Sequence, residues 1–399
     1  MSKLSLADLD VKGQRVLIRV DFNVPMRDGA ITDDSRIRAS LPTLRVVSEA
    51  GGRVILMSHL GRPKGKVAPE FSLEPVARHL AEVWGREIRF VDDCVGPAAA
   101  EAADKLQDGE VLLLENLRFH PEEEANDPGF AKQLAALGDL YVNDAFGAAH
   151  RAHASTVGVT AYLRTAAAGR LMAAELHYLD LALSNPRRPV VAILGGAKIS
   201  GKIDVLTNLL DKVDRILIGG GMTYTFYRAQ GIEIGDSLIE NDRVEMAGEV
   251  LRRADKAGVQ IVLPVDSVIS SAPNGSEPIS VSEGEAIHAG SMGLDIGPKS
   301  RALFAKALTD AATVVWNGPL GVFEVDAFSE GTLHIARAVA DVTTRGGTTV
   351  IGGGDSVAAI SRAGLPRDAF SHISTGGGAF LEYLEGIELP GVAALTDKG

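Results

Sequence analysis

PVVAILGGAKISGKIDVLTNLL, Pro189–Leu210, is the segment whose pattern decides the fold. Val190–Leu194 is a short apolar run rich in β-branched residues, which favours a buried strand over a helix. Gly195 and Gly196 end the run, and apolar residues then recur at helical spacing over Ile203–Leu210. A strand that ends in glycine and leads into a helix suits phosphate, because the backbone can come close and the helix N-terminus offers unpaired N–H groups. The segment therefore predicts a strand–turn–helix unit with an anion site at its turn.

Two lysines, Lys198 and Lys202, add positive charge at this turn. Gly196, Gly201 and Lys202 fit the spacing G-x-x-x-x-G-K, but Ile203 stands where a serine or threonine would hold Mg²⁺ in a P-loop. We therefore expect a phosphate site of a different design. The alternative is an ordinary strand–turn–helix unit with two solvated lysines.

The composition limits the class of protein. A chain of 399 residues predicts roughly two domains of about 200 residues each. The net charge of −12 argues against nucleic acid as a partner. We expect no membrane helix and no secretory leader, since no apolar run is long enough. The single cysteine, Cys94, rules out an internal disulfide and predicts a reducing cytoplasm, and with scattered histidines it predicts no structural zinc site.

Short β-branched runs alternate with helical patterns in the first half of the chain. The predicted strands are Arg15–Val20, Arg53–Met57, Glu110–Leu114 and Asp139–Val142. The predicted helices are Arg36–Ala50, Leu73–Val83, Pro97–Leu106 and Gly129–Leu137. This alternation predicts right-handed crossovers and a mostly parallel sheet with helices on both faces. In such sheets ligands bind beyond the carboxyl ends of the strands.

Polar residues follow all four of these predicted strands. The stretches that contain them are Asp21, Phe22 and Asn23; Ser58, His59, Leu60, Gly61, Arg62 and Pro63; Glu115, Asn116, Leu117, Arg118 and Phe119; and Asn143, Asp144, Ala145, Phe146 and Gly147, then His150, Arg151 and His153. Each stretch includes aspartate, asparagine, arginine or histidine. Taken singly, each arginine is compatible with a surface ion pair. Together they predict a cationic basin on one edge of the sheet, where guanidinium groups suit phosphate or carboxylate.

A long helical pattern over Gly169–Asn185 links the two halves, and the second half repeats the alternation. Its predicted strands are Val190–Leu194, Arg215–Ile218, Gln260–Leu263, Thr313–Trp316, Thr348–Ile351 and His372–Ser374. Most end in a stretch with glycine: Gly195 and Gly196; Gly219, Gly220 and Gly221; Asn317, Gly318 and Pro319; Gly352, Gly353 and Gly354; Gly376, Gly377 and Gly378. An edge without side chains predicts a large ligand such as an adenine nucleotide. Ser270–Gly284 is predicted to be a surface loop.

Two acidic residues of this half are candidates for nucleotide binding. Asp355 opens a helix, where an aspartate is usually an N-cap, but beside a polyphosphate it would be a Mg²⁺ ligand. Glu324 could accept hydrogen bonds from ribose hydroxyls, and its alternative is a solvated loop carboxylate.

Eight motifs along the chain resemble those of a known family. They are RVDFNVP at Arg19–Pro25, SHLGRP at Ser58–Pro63, ENLRF at Glu115–Phe119, NDAFGAAHRAHAS at Asn143–Ser155, GGAK at Gly195–Lys198, WNGPLGVFE at Trp316–Glu324, GGGDS at Gly352–Ser356 and STGGGA at Ser374–Ala379. In this order the chain resembles the phosphoglycerate kinase family over essentially its whole length. Each motif is weak alone, but the ordered set is specific.

The resemblance implies two doubly wound, mostly parallel-sheet (Rossmann-like) α/β domains, joined by a long helix and with a cleft between them. Residues 1–170 and 389–399 would form the phosphoglycerate-binding domain, 171–185 the linker helix and 186–388 the Mg-nucleotide-binding domain. The implied activity is reversible phosphoryl transfer between 1,3-bisphosphoglycerate and ADP, giving 3-phosphoglycerate and ATP. The expected protein is a cytoplasmic monomer that bends at a hinge and binds neither nucleic acid nor membrane.

The resemblance also implies site residues. Substrate binding falls to Asp21, Phe22, Asn23, Arg36, His59, Leu60, Gly61, Arg62, Arg118 and Arg151. Nucleotide binding falls to Gly196, Ala197, Lys202, Gly220, Gly221, Asn317, Gly318, Pro319, Glu324, Gly352, Gly353, Gly354, Asp355 and Ser356, with Asp355 as the Mg²⁺ ligand. Catalysis is assigned to Arg36, Lys198, Lys202, Gly376, Gly377 and Gly378. Because the acceptor is a carboxylate that is already ionised at pH 7, we expect no general base and assign Asp21 to the substrate hydroxyl.

Two positions depart from the family pattern, and two other classes of protein share some of the features described above. Gly201 stands where aspartate is frequent, and Phe380 stands where serine is frequent, which affects the nucleotide-side loops. A dehydrogenase would need G-x-G-x-x-G after its first strand, which here ends in Asp21. A non-enzymatic nucleotide-binding module would have no use for the cationic basin.

Overall fold

The computed structural model describes residues 3–399 as alternating strands and helices. The strands are β1 Arg15–Arg19, β2 Met26–Arg27, β3 Ala30–Ile31, β4 Arg53–Met57, β5 Arg89–Val91, β6 Val111–Leu114, β7 Leu140–Asn143, β8 Ala166–Ala168, β9 Val190–Leu194, β10 Arg215–Ile218, β11 Gln260–Val262, β12 Ser267–Ser270, β13 Ser280–Val281, β14 Met292–Ile296, β15 Thr313–Asn317, β16 Thr348–Gly352 and β17 His372–Ile373. The α-helices are α1 Ser35–Glu49, α2 Glu74–Trp84, α3 Gly96–Asp104, α4 Pro121–Glu124, α5 Pro128–Ala135, α6 Arg170–Leu183, α7 Ile203–Leu209, α8 Met222–Ala229, α9 Val244–Ala257, α10 Pro298–Ala307, α11 Glu330–Thr344, α12 Gly354–Arg362, α13 Gly377–Glu385 and α14 Pro390–Ala393. Over that same span, none of the helices has the length and apolar character needed to cross a membrane.

The chain divides into two compact units. The first runs to Leu176 and includes Glu388–Gly399, and the second is His177–Ile387. The parallel sheet of the first unit has the order β5-β6-β4-β1-β7-β8. The strand order reverses at β1, which lies between β4 and β7, so the crevice beyond the carboxyl ends of these strands is where a ligand is expected.

The second unit repeats this plan. Its parallel sheet has the order β11-β10-β9-β15-β16-β17. All five residues of β9 are buried, as in a strand covered on both faces by helices. The order reverses between β9 and β15, so the glycine turns after these strands lie at the switch point. The expectation of two doubly wound, mostly parallel α/β domains is confirmed.

Several short strands differ from the sequence-based predictions. The edge strands β5 and β8 were not predicted. The prediction that Ser270–Gly284 is a loop is wrong in part, because Ser280–Val281 is a strand that pairs antiparallel with Val268 and Ile269. With β14 these strands form a small antiparallel sheet in the order β13-β12-β14.

The N-terminus of helix α6 is held by the buried carboxylate of Asp144 in the first unit. Oδ1 of Asp144, which directly follows β7, accepts hydrogen bonds from the N–H groups of Leu171 (2.9 Å) and Met172 (3.2 Å). Oγ1 of Thr43 in α1 accepts one from the N–H of Arg170 at 2.8 Å. A carboxylate is stabilised by the positive end of a helix, although burial raises the pKa of Asp144 to about 6. These contacts fix where α6 starts.

Candidate active site

Asp21 and Arg36 form the first part of the candidate site, in the first unit. Nη1 of Arg36, in the first turn of α1, lies 2.9 Å from Oδ2 of Asp21 and 3.1 Å from the carbonyl oxygen of Asn23. Asp21 is buried, whereas the Arg36 side chain is 34% exposed. The Asn23 side chain accepts the N–H of Gly61 through Oδ1 at 2.9 Å. The loops after β1 and β4 are therefore tied together around an arginine that still reaches solvent.

Behind His59 lies a buried chain of polar contacts that the sequence did not reveal. Nη2 of Arg19, the last residue of β1, donates to Nδ1 of His59 at 3.0 Å, and its Nε donates to Oγ of Ser155 at 2.8 Å. Ser155 in turn donates to Glu123 through Oγ (2.5 Å) and through its backbone N–H (2.9 Å). The Glu123 carboxyl is fully buried. This chain holds the imidazole in one orientation.

His59 is neutral at physiological pH. Burial, followed by the positive charges of Arg19, Arg118 and Arg36, lowers its pKa well below the usual value. An arginine can only donate, so Nδ1 of His59 must accept, and the ring proton is on Nε2. His59 can therefore donate one neutral hydrogen bond from Nε2 to a bound anion.

The remaining substrate residues fall into three groups. Nη1 of Arg118 donates to the carbonyl oxygen of Gly61 at 2.7 Å, and burial lowers the pKa of its guanidinium while leaving it charged at neutral pH. Arg151 acts electrostatically on Arg118, so the structure brings these two cations together. Phe22 packs in the hydrophobic core, and the buried Leu60 is held by the Asn116 amide. Arg62 is exposed, and within residues 3–399 we find no contact that joins it to the others.

A cavity of about 380 Å³ lies at the switch point of the second sheet. Its lining includes seven of the residues expected to bind nucleotide, which are Gly196, Ala197, Gly220, Gly221, Pro319, Glu324 and Asp355. The rest is mainly apolar and was not predicted: Tyr224, Leu238, Pro273, Met292, Gly293, Leu294, Asp295, Leu320, Gly321 and Val322. A mostly apolar cleft with a few polar groups at its edge suits a purine base and ribose.

Five further expected nucleotide residues lie outside this lining and hold its turns in place: Asn317, Gly318, Gly352, Gly353 and Ser356. Nδ2 of Asn317 donates to the carbonyl oxygen of Gly352 at 3.0 Å, and Oγ of Ser356 accepts the N–H of Gly318 at 2.7 Å. A Cβ on Gly353 would come within 2.9 Å of the Asn317 amide. These contacts join the turns after β15 and β16.

The N-termini of two helices lie close together at the glycine turns after β16 and β17. Helix α12 begins at Gly354, and α13 begins at Gly377 with Gly376 as its N-cap residue. A Cβ on Gly377 would be 3.8 Å from Cα of Gly353. Gly378 lies in the first turn of α13. The N–H of Gly376 already donates to Oγ of Ser374 at 3.2 Å, so the N–H groups left for an anion here are those of the first turns of α12 and α13.

The two lysines of the opening segment differ in their environment. Lys198 is exposed. Lys202 precedes α7 and is partly buried, and burial lowers the pKa of its ammonium group to about 8, against the opposing charges of Glu385 and Asp355. Lys202 thus carries its charge below about pH 8 and loses it as the pH rises through that value.

We expect the Lys202→Arg variant to lose an alkaline limb from the pH profile of kcat/KM for nucleotide. In the wild type this parameter should fall as Lys202 deprotonates near pH 8, because kcat/KM reports the groups of the free enzyme. Arginine stays charged, so the limb should disappear whatever the absolute rate. Lys198→Arg is the matched control and should keep the limb. A limb unchanged in Lys202→Arg would remove Lys202 from phosphate binding.

The residues present fit a Mg²⁺-nucleotide complex. Asp355 is exposed, lies in the first turn of α12 and lines the cavity. Its alternative interpretation as an N-cap is wrong, because Gly353 occupies that position. Within the described chain no hydrogen bond engages its carboxylate, which leaves both oxygens for a metal that prefers carboxylate and phosphate ligands.

The site in the first unit brings together arginine and histidine, which suit an anionic acceptor. The site in the second unit has lysines, helix N-termini and a cavity large enough for a nucleotide. Together they define the class of protein as a phosphotransferase. The family model of phosphoglycerate kinase matches residues 6–387. The phosphoglycerate kinase of Chlorobaculum tepidum is 56% identical over 398 residues, which cover 100% of each chain. Solved phosphoglycerate kinase structures from Coxiella burnetii (TM-score 0.91, 43% identity) and Pyrococcus horikoshii OT3 (TM-score 0.83, 33% identity) each match over 98% of both chains. The chain therefore belongs to the phosphoglycerate kinase family.

Proposed function

We propose that this chain transfers a phosphoryl group reversibly between 1,3-bisphosphoglycerate and ADP, giving 3-phosphoglycerate and ATP. The observation that carries the proposal is family membership over residues 6–387. The polar residues on the carboxyl edges of both sheets support it. We assign phosphoglycerate to residues 1–170 with 389–399, Mg-nucleotide to 186–388, and the linker role to 171–185.

The proposed mechanism needs no general base. In the direction of ATP use, a carboxylate oxygen of 3-phosphoglycerate bonds to the γ-phosphorus while the bond from phosphorus to the ADP oxygen breaks. A carboxyl pKa of about 3.5 keeps the acceptor ionised at pH 7. The protein then mainly has to position the reactants and neutralise their charge. Asp21 accepts the substrate hydroxyl, and His59 donates from Nε2.

Charge on the transferring group is balanced by groups from both sites. We assign Arg36 to the transferring phosphoryl group, together with Lys198, Lys202 and the N–H groups of Gly376–Gly378. Arg62, Arg118 and Arg151 bind the substrate anions. Asp355 would hold Mg²⁺, which supplies charge neutralisation on the nucleotide phosphates. Glu324 accepts from the ribose.

A coupled assay with 3-phosphoglycerate and Mg-ATP tests the function. We expect ADP to form only when both substrates are present. Equilibrium titrations should show binding of ADP and, separately, of 3-phosphoglycerate. Binding of ADP without 3-phosphoglycerate, and with no turnover, would favour a nucleotide-binding module.

The absence of a base is tested by Asp21→Asn. We expect a raised KM for 3-phosphoglycerate with substantial kcat, because asparagine keeps the size and part of the hydrogen bonding. The measurement is kcat against pH from about 5.5 to 9, above the usual Asp range. An acidic limb that vanished in the variant, with kcat lower by ~10²–10⁴, would instead indicate a general base.

The metal assignment is tested by Asp355→Asn. We expect weaker Mg-ADP binding by calorimetry and nearly unchanged 3-phosphoglycerate binding, since only the nucleotide site loses a carboxylate. Asp368→Asn is a control on an exposed turn of the same unit. Mg-ADP affinity equal to that of the wild type would exclude Asp355 as the ligand.

The net charge of −12 supports the proposal that nucleic acid is not a partner. We further propose that the protein works as a monomer in the cytoplasm. A single cysteine, which cannot form an internal disulfide, suits that reducing compartment.

A further inference from the structure

Three metal-ligating side chains converge in the first unit, outside the active site. Asp93 and Cys94 lie between β5 and α3, and His120 directly precedes α4. One ligand atom from each lies within 4.8 Å of the others. Nε2 of His120 is 2.8 Å from Oδ1 of Asp93. The sequence pattern predicts no zinc site because its cysteine and histidines are scattered, but the fold brings one of each together with a carboxylate.

We propose that Asp93, Cys94 and His120 bind a divalent cation of the Zn²⁺ type. Thiolate and imidazole ligands select Zn²⁺ over Mg²⁺, which requires oxygen ligands. Bonds of about 2.0–2.3 Å to a tetrahedral ion place its ligands roughly 3.5 Å apart. The Asp93 and His120 side chains are 45% and 30% exposed, so they can rotate to close the distance. A water molecule would supply the fourth ligand.

The surroundings of Cys94 favour a cation. The Cys94 side chain is fully buried, and the carboxyl groups of Asp93, Glu123 and Glu115 are near enough to act on it electrostatically. Carboxyl groups at this distance attract a divalent cation, which replaces the thiol proton on binding. Oδ1 of Asp93 already accepts the N–H of Cys94 at 2.7 Å, which leaves Oδ2 for the cation. The His120 ring packs against Phe130 with 5.1 Å between centroids.

A cobalt titration of the whole, nucleotide-free protein tests the site. We expect a thiolate-to-cobalt charge-transfer band that saturates at one equivalent of Co²⁺ and is abolished by Zn²⁺ but not by excess Mg²⁺. Cys94 is the sole cysteine, so cobalt bound at Asp355 cannot produce this band. Cys94→Ser should remove it. A wild-type protein without the band would overturn the proposal.

A second variant keeps the test independent of the buried thiol. His120→Gln alters a partly exposed ligand and should weaken Co²⁺ binding by more than the ~10–100-fold typical of losing an outer partner of a metal site. His79→Gln is the matched control, because Nε2 of His79 lies 3.0 Å from Oδ2 of Asp34 and its side chain is 29% exposed. It should keep the wild-type affinity. An affinity unchanged in His120→Gln would contradict the site.

Discussion

Replacing Arg36 with alanine is expected to lower kcat and kcat/KM for 3-phosphoglycerate together, by ~10²–10³-fold. The reason is that we place Arg36 on the transferring phosphoryl group, where its charge matters most in the transition state. An interaction made mainly in the transition state lowers both parameters when it is lost. Measurement of both constants in the coupled assay is therefore the test.

The geometry at Arg36 supports a fixed rather than a flexible cation. One nitrogen, Nη1, contacts both Oδ2 of Asp21 and the carbonyl oxygen of Asn23. Within the described residues we find no protein acceptor for Nη2 or Nε, so two sides of the guanidinium remain for phosphate oxygens. A pre-oriented donor needs no reorganisation at the moment of reaction.

Arg38→Ala is the matched control for this variant. Arg38 lies on the same helix and pairs with Asp34 at 2.8 Å, but its side chain is 60% exposed. Within the described residues no hydrogen bond joins it to Asp21. It should leave kcat within about twofold of the wild type, as exposed ion pairs contribute little. A normal kcat with only a raised KM in Arg36→Ala would show that Arg36 binds substrate without acting on the transferring group.

Strands that are buried on both faces were predictable from the sequence. Arg53–Met57 and Val190–Leu194 have the predicted bounds at both ends, because a continuous apolar run bounded by polar residues or glycine admits few alternatives. The glycine runs also indicated which ends of these strands face a ligand, whereas the strand order that places the switch point between β9 and β15 came from the structure. The strand bounds and the glycine runs depend on neighbours in the sequence.

The unpredicted strands depend on distant partners. Ala166–Ala168 contains only alanine, which has low β-propensity, and it is a strand because it pairs with Tyr141–Asn143. Arg89–Val91 is an edge strand of three half-buried residues that pairs with Leu112–Leu114. Local pattern carries no information about such pairings.

The candidate site shows the same limit at the level of side chains. Arg19 closes an apolar strand, which is the only sequence signal that it points inward. Its partners His59 and Ser155 are 40 and 136 residues away, so their contact could not be predicted. The lowered pKa of Lys202 likewise arises from burial in the folded chain.

The glycine turns of the second unit lead to the other large expected effect. Gly195→Ala should destabilise this unit by at least ~3 kcal/mol, the upper end of typical overpacking costs. A Cβ at this position would lie 2.0 Å from the carbonyl oxygen of Pro319 and 2.7 Å from its carbonyl carbon. These are backbone atoms, so no side-chain rotation can relieve the clash. Gly220 is constrained differently, since its φ of +72° is a left-handed conformation.

Gly201→Ala is the control on the same loop, because no atom lies within 4 Å of its added Cβ. It should change the free energy of unfolding by less than about 1 kcal/mol. The absence of a clash also implies that the departure at Gly201 leaves the loop geometry intact. Gly201→Asp places the aspartate that the family resemblance leads one to expect, and since its Cβ meets no atom within 4 Å, we expect this variant to fold as well.

Denaturant unfolding followed by tryptophan fluorescence distinguishes the two glycine variants. The chain has two tryptophans, and Trp84→Phe leaves Trp316 as the reporter of the second unit. Trp316 is fully buried in β15, and its Nε1–H donates to the carbonyl oxygen of Gly318 at 2.8 Å, so it reports directly on the turn that Gly195 contacts. In this background Gly195→Ala should shift the Trp316 transition to much lower denaturant and abolish Mg-ADP binding, whereas Gly201→Ala should do neither. A Gly195→Ala protein as stable as the Gly201→Ala protein would mean that the turns after β9 and β15 can separate, and that Gly195 is not required by its contact with Pro319.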